Sequence, residues 1–217
     1  KLFAQEPVLK IKNLKTYFPI RNGFFGGITS YVKAVDEVSF DVFPGETLGL
    51  VGESGCGKTT TGRCILQLNE PTAGEIYFEG QDLNTLGKRE MREMRRNIQI
   101  IFQDPYGSLN PRMTVGNIVA EPILVHNIFD DRSKITDRVM ELFDTVGLSR
   151  SMATRYPHEF SGGQRQRTAL ARAVVRQPSI LILDDSLASV DTHTEDAILQ
   201  GLREVMATRT TIIIAHR

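Results

Sequence analysis

The sequence predicts an α/β fold, a mixed sheet flanked by helices, and three observations carry that expectation. Gly45-Glu46-Thr47-Leu48-Gly49-Leu50-Val51 reads as a turn feeding a buried strand, followed by a glycine-rich loop and then a helix opening at Thr60-Thr61-Gly62-Arg63-Cys64-Ile65-Leu66. Ile180-Leu181-Ile182-Leu183 is a short apolar run closing on Asp184-Asp185, the pattern of a fully buried parallel strand. Between these lies a mostly helical stretch from Asp104 to about Gln177. Strands joined by such crossovers give a sheet that binds its ligand at the C-terminal edge of the parallel strands.

Taken in order, Val8 to Phe43 reads as a β-rich, partly antiparallel layer, with Gly23, Gly26 and Gly27 in a loop insertion. Glu75-Ile76-Tyr77-Phe78 before Glu79-Gly80 reads as a strand, and Asn97 to Phe102 as another. Lys88, Arg89, Arg92, Arg95 and Arg96, interleaved with Glu90 and Glu93, read as the solvated face of a helix. Ser133 to Val146 is an amphipathic helix with Ile135, Val139, Leu142, Phe143 and Val146 on one face. Thr211 to Ala215 is an apolar strand ending at His216.

Composition bounds the function. Twenty-six basic residues balance 26 acidic ones, so the formal net charge is zero and nothing suggests a nucleic-acid partner. The 217 residues, 41% of them hydrophobic, can bury a sizeable core. No stretch approaches the roughly 18–20 continuous apolar residues of a membrane span, and no secretory leader is read at the start. The two cysteines, Cys56 and Cys64, point to free thiols in a reducing compartment.

The chemistry begins at Gly52-Glu53-Ser54-Gly55-Cys56-Gly57-Lys58-Thr59, which matches G-x-x-x-x-G-K-[ST]. The glycines let the backbone bend around phosphates, the helix N-terminus at Thr59 and Thr60 aims amides and positive dipole at them, and Lys58 reaches the terminal phosphates. Thr59 is the magnesium ligand of this pattern. Asp184, at the end of its strand, organises the same cation through its water shell, because Mg2+ takes oxygen ligands and keeps several waters. A chance glycine-rich turn and a solvated acidic turn are the bland alternatives for the two segments.

Phe160-Ser161-Gly162-Gly163-Gln164 resembles the signature sequence of ATP-binding-cassette (ABC) ATPases, and Gln103 in Ile101-Phe102-Gln103-Asp104-Pro105 resembles their Q-loop. His216 matches their switch histidine, and Tyr17 looks like the aromatic that stacks on adenine. The resemblance covers essentially the whole chain and implies a P-loop fold of ABC type. It divides the chain into a core at 1–103 with an antiparallel β layer, a helical signature subdomain at 104–177, and a core remainder at 178–217. It also implies ATP and Mg2+ as cofactors, and a head-to-tail second ABC ATPase subunit whose nucleotide Ser161, Gly162, Gly163 and Gln164 cover. Gln103 orients water or metal, and His216 bonds the terminal phosphate. The family's usual general-base Glu is Asp185 here, one methylene shorter, so hydrolysis is expected to be slow.

Within the family, Lys12 to Ile20, Ser108 to Gly116 and Tyr156 to Phe160 look like oligopeptide and dipeptide importer ATPases. After Arg167, Leu181 to Ser186, Ser189 to Glu195 and Arg209 to Arg217 look like exporter nucleotide-binding domains. Either the chain is a composite or it is an importer ATPase whose second half drifted. Two functions follow: an ATP-hydrolysing subunit coupling dimer closure to a membrane permease, for peptides, or an ATP-binding and dimerising module with little turnover, whether a degenerate partner or an engineered chimera. The first places the protein in the cytoplasm, peripheral on the inner face of the cell membrane through permease subunits. Because family members continue past the switch histidine, the chain is expected to be a piece of a longer protein.

Overall fold

The computed structural model of the chain describes residues 5–22, 27–102, 105–184, 206–207 and 209–216. Its contacts divide the chain into two units, Lys1–Arg95 with Ile212–Arg217, and Arg96–Thr211.

In the first unit, β1 (Leu9–Asn22) pairs antiparallel with β2 (Gly27–Val42) on one side and with β4 (Ala73–Phe78) on the other. A two-residue strand, β5 (Gln81–Asp82), completes the order β2-β1-β4-β5. Leu9 and Ile11 face the core with the two-residue period of a strand. That period slips once, at Asn13 with φ 48°, and resumes with Leu14 and Thr16 buried. The pairing shifts at the same place, which marks a bulge that re-aims the strand beyond it. Gly27 belongs to β2 rather than to the loop expected there.

β3 (Thr47–Gly52) neighbours β8 (Thr210–His216). The expectation of a buried β3 is corrected. Leu48 and Leu50 are half-buried while Thr47, Gly49 and Val51 are exposed, so only one face of this strand is covered. After the glycine loop, α1 (Lys58–Ile65) buries Thr61, Cys64 and Ile65. Just beyond α1, at Leu66 and Gln67, Arg95 corrects a second expectation. Its Nε donates to the Leu66 carbonyl and its Nη2 to that of Gln67, both at 2.9 Å, so this arginine closes the C-terminal end of α1 rather than lying in solvent. Lys88, Arg89 and Arg92 on α2 (Lys88–Met94) are exposed as expected.

In the second unit, β6 (Ile98–Ile101) and β7 (Ile180–Asp184) run parallel, with Ile98 opposite Ile180 and Ile101 opposite Leu183. Every residue of β7 is buried, as its unbroken apolar run predicts. The connection between them is helical: α3 (Pro105–Ser108), α4 (Val115–Val125), α5 (Arg132–Thr145) and α6 (Gly162–Val174), with 3-10 turns at Arg150–Thr154 and Pro157–Glu159. Side chains start three of these helices. Thr114 accepts from the Asn117 amide, Asp131 from that of Ser133 and Ser161 from that of Gln164. On α5, Ile135, Val139, Leu142 and Phe143 form the buried stripe. Among the described residues no helix is long and apolar enough to cross a membrane.

Candidate nucleotide site

The loop between β3 and α1 is shaped by glycines in the left-handed region, Gly55 at φ 81° and Gly57 at φ 95°. Gly57 is the N-cap of α1 and offers no side chain to cap the helix. Space requires glycine there as well: a β-carbon at 57 would lie 2.0 Å from the Ala34 carbonyl oxygen and 3.3 Å from Val35 Cγ2. Lys58 is 8% exposed, and its Nζ donates to the carbonyls of Gly52 at 2.8 Å and Glu53 at 2.6 Å. These bonds curl the ammonium back over the loop. Ser54 and Cys56 are exposed on the loop, and Thr59 and Thr60 are half-buried in the first turn of α1. Cys56 Sγ lies 3.6 Å from Lys58 Nζ. Both cysteines are free; Cys64 is buried on α1 against Thr16 Oγ1 at 3.2 Å, and burial pushes its thiol pKa up.

Tyr17 stands in β1 next to the bulge, half-buried, with its backbone amide donating to Thr72 Oγ1 at 2.9 Å. Its hydroxyl donates to Asp36 Oδ1. Lys33 bonds the other carboxylate oxygen of Asp36 at 3.2 Å and lies over the Tyr17 ring, 5.3 Å from its centroid. The hydrogen bond from Tyr17, then that from Lys33, holds the Asp36 carboxyl below the usual carboxylate range, and the same bond keeps the phenol protonated above its ordinary value. Sequence reasoning found Tyr17 but not Lys33 or Asp36, because only the strand register brings them together.

In the second unit, Asp184 ends β7 at 2% exposure. Among the described residues no three His, Cys, Asp or Glu side chains gather into a metal cage. A single buried carboxylate such as Asp184 suits Mg2+, which takes few protein ligands and completes its shell with water and phosphate.

The signature segment is built as a helix start. Ser161 Oγ accepts from the Gln164 amide at 3.3 Å, and Gln164 Oε1 accepts from the Ser161 amide at 2.9 Å, a reciprocal capping box. Gln164 thus holds Ser161 in place through its side chain. The Arg165 guanidinium, 6% exposed, reaches back to the carbonyls of Pro157 and Phe160 and ties down the chain entering α6, a role the sequence alone did not signal. Around Gly162 a β-carbon would meet nothing within 4 Å, so this glycine borders open space at the helix N-terminus.

Of the remaining expected residues, Gln103 and Asp185 lie outside the described residues. His216 ends β8, and its side chain is likewise not described.

Comparison with known proteins gives three results. The ABC transporter family matches residues 35–188. Among curated proteins, the chain is 50% identical over 200 residues to the glutathione import ATP-binding protein GsiA of Pectobacterium atrosepticum, covering 92% of this chain and 32% of that protein. It is 47% identical over 202 residues to the oligopeptide transport ATP-binding protein AppF of Bacillus subtilis, covering 93% of this chain and 61% of that one. The chain therefore spans about a third of the first relative and 61% of the second. Among solved structures, the dimeric cassette MJ0796 bound to ADP and Pi has a TM-score of 0.84 at 27% identity, covering 96% of this chain and 88% of that one. The cbiO1 protein of Clostridium perfringens, part of the complex cbiONQ, has a TM-score of 0.79 at 25% identity, covering 98% and 80%. Matches of 200 residues to import proteins run well past Arg167, and they give no support to a composite chain that turns exporter-like there.

Proposed function

Because the chain belongs to the ABC transporter family, we propose that it is an ATP-binding and ATP-hydrolysing subunit that couples ATP-driven association of two such subunits to import of a small peptide. The observation that carries the reading is the phosphate loop. Gly55 and Gly57 in left-handed conformations, an N-terminus of α1 with no side-chain cap, and the ammonium of Lys58 together form a polyphosphate cradle. The peptide class rests on the printed roles of the relatives, oligopeptide transport and glutathione import.

Thr59, Asp184 and Gln103 hold Mg2+ in this proposal, and the cation when bound neutralises charge on the phosphates. Phosphoryl transfer needs positioning and electrostatics more than covalent help. Lys58 and the α1 amides hold the phosphates in place. Asp185 orients and deprotonates water, and His216 donates to the terminal phosphate as charge builds there. Gly52, Ser54, Gly55, Cys56, Gly57 and Thr60 line the phosphates, Tyr17 stacks on the base, and Ser161, Gly162 and Gly163, held by Gln164, cover the nucleotide of the second subunit. The division into a core of 1–103 and 178–217 around a helical segment of 104–177 belongs to the same proposal. Permease subunits supply the membrane contact and place the protein on the cytoplasmic face. Their docking element meets the segment that follows Gln103.

Calorimetry of the chain with ATP and magnesium tests the reading. Binding is expected for the natural chain and none for Lys58→Ala with its fold intact. Unchanged affinity in that variant overturns the assignment.

A further inference from the structure

The hairpin of β1 and β2 does more than present Tyr17. Leu14 pairs with Val38, Thr16 with Val35 and Tyr17 with Lys33, so three steps along β1 are matched by five along β2. The extra residues of β2 bulge beside Tyr17, and Glu37 there takes a left-handed φ of 57°. One oxygen of Asp36 accepts from the Tyr17 hydroxyl and the other from Lys33. Lys33 in turn covers one face of the ring. The ring is held at its hydroxyl by Asp36, on one face by Lys33, and through its backbone by Thr72.

The same stretch touches the phosphate loop. Ala34, between Lys33 and Asp36, has its carbonyl against Gly57 at the start of α1. Residues 33–36 thus join the aromatic ring to the phosphate cradle within the first unit.

On the reading of Tyr17 as the stacking partner of the nucleobase, we propose that Asp36 and Lys33 are positioning residues for that base. They fix the ring in one orientation and close one of its faces, and the base stacks on the other. A ring held before binding loses less freedom when the base arrives. The lysine over one face is held by the ring quadrupole. The base-dependent part of nucleotide affinity therefore depends on Asp36 and Lys33, and the phosphate-dependent part does not.

The experiment measures dissociation constants for ATP and for inorganic tripolyphosphate, both with magnesium, on the whole chain by calorimetry. The readout is the ratio of the two, so a change of net charge near the phosphates, which moves both ligands together, cancels. Tripolyphosphate binding also reports that each variant has folded. Tyr17→Ala is expected to bring the ratio near one. Lys33→Ala and Asp36→Ala are expected to lower ATP preference by about two- to fivefold, the range of an exposed cation and ring contact, with tripolyphosphate affinity within about twofold once charge is allowed for. Lys33→Arg keeps a cation over the ring and restores the preference, and Asp36→Asn, a neutral acceptor for the hydroxyl, restores part of it. In a Tyr17→Phe background, Asp36→Asn keeps only the effect it exerts through Lys33 and lowers the preference less than in the natural chain. If Tyr17→Ala removes the preference while Lys33→Ala and Asp36→Ala leave it whole, the positioning role is wrong and the stacking role stands. If Tyr17→Ala leaves the preference untouched, the stacking role itself falls and takes the proposal with it. Loss of both ATP and tripolyphosphate binding in Lys58→Ala still upholds the phosphate loop in either case.

Discussion

The carbonyl oxygen of Ala34 in β2 lies 2.0 Å from the point that a β-carbon on Gly57 would occupy. The hairpin and the phosphate loop are therefore in backbone contact, and Gly57 answers to two demands at once. Its φ of 95° disfavours any side chain, and its neighbour is a backbone atom that cannot swing aside. Gly57→Ala combines left-handed strain with overpacking, for a loss of about 3 kcal/mol or more. Urea unfolding is expected to show that loss, and tripolyphosphate binding to weaken with it. A variant as stable as the natural chain refutes the close contact.

Gly162 makes the opposite prediction. With no atom within 4 Å of its would-be β-carbon and an ordinary φ, Gly162→Ala is expected to leave stability unchanged within about 0.5 kcal/mol. If the space above it is where the second subunit's nucleotide sits, the same variant keeps ATP binding and loses ATP-dependent association in light scattering. Association at natural strength would show that the open space at the start of α6 is not part of a shared site.

Asp185 is one methylene shorter than the glutamate usual in this family. Asp185→Glu is expected to raise single-turnover hydrolysis by roughly tenfold to a hundredfold, the scale of a displaced catalytic group. ATP affinity should scarcely change, because a base acts in the transition state. Turnover that stays low in this variant means that the shorter side chain is not the limiting feature.

The two thiols are expected to separate cleanly. Cys56 is exposed beside Lys58, and a thiol reagent should modify it quickly, with ATP and magnesium protecting it. Cys64 should react only as the chain opens. Burial raises the Cys64 pKa, so the unfolded chain loses that proton first as pH rises. The stability linked to Cys64 is complete below the ordinary thiol pKa of about 8.5 and declines as pH climbs from there through the raised value. Cys64→Ala, destabilised overall, should show a smaller alkaline decline in urea titrations between those limits. An identical decline in both proteins excludes Cys64 as its source.

What the sequence determined by itself lies in contiguous strings. The phosphate loop from Gly52 to Thr59, the apolar run ending at Asp184, and Ser161 to Gln164 before a helix each carry their geometry locally. A glycine, a cap or a buried run dictates the backbone over only a few residues. The α5 stripe and the parallel β7 were legible for the same reason. What tertiary structure alone decided depends on register and on contacts distant in sequence. Lys33 and Asp36 meet Tyr17 because of two bulges whose places cannot be counted from residue types, and a slip of one residue would turn these side chains to the other face. Arg95 closes the end of α1 at Leu66 and Gln67 although its own segment reads as a solvated helix face. The one-sided burial of β3 was likewise not legible, because a strand's composition records how apolar it is but not which of its faces is covered.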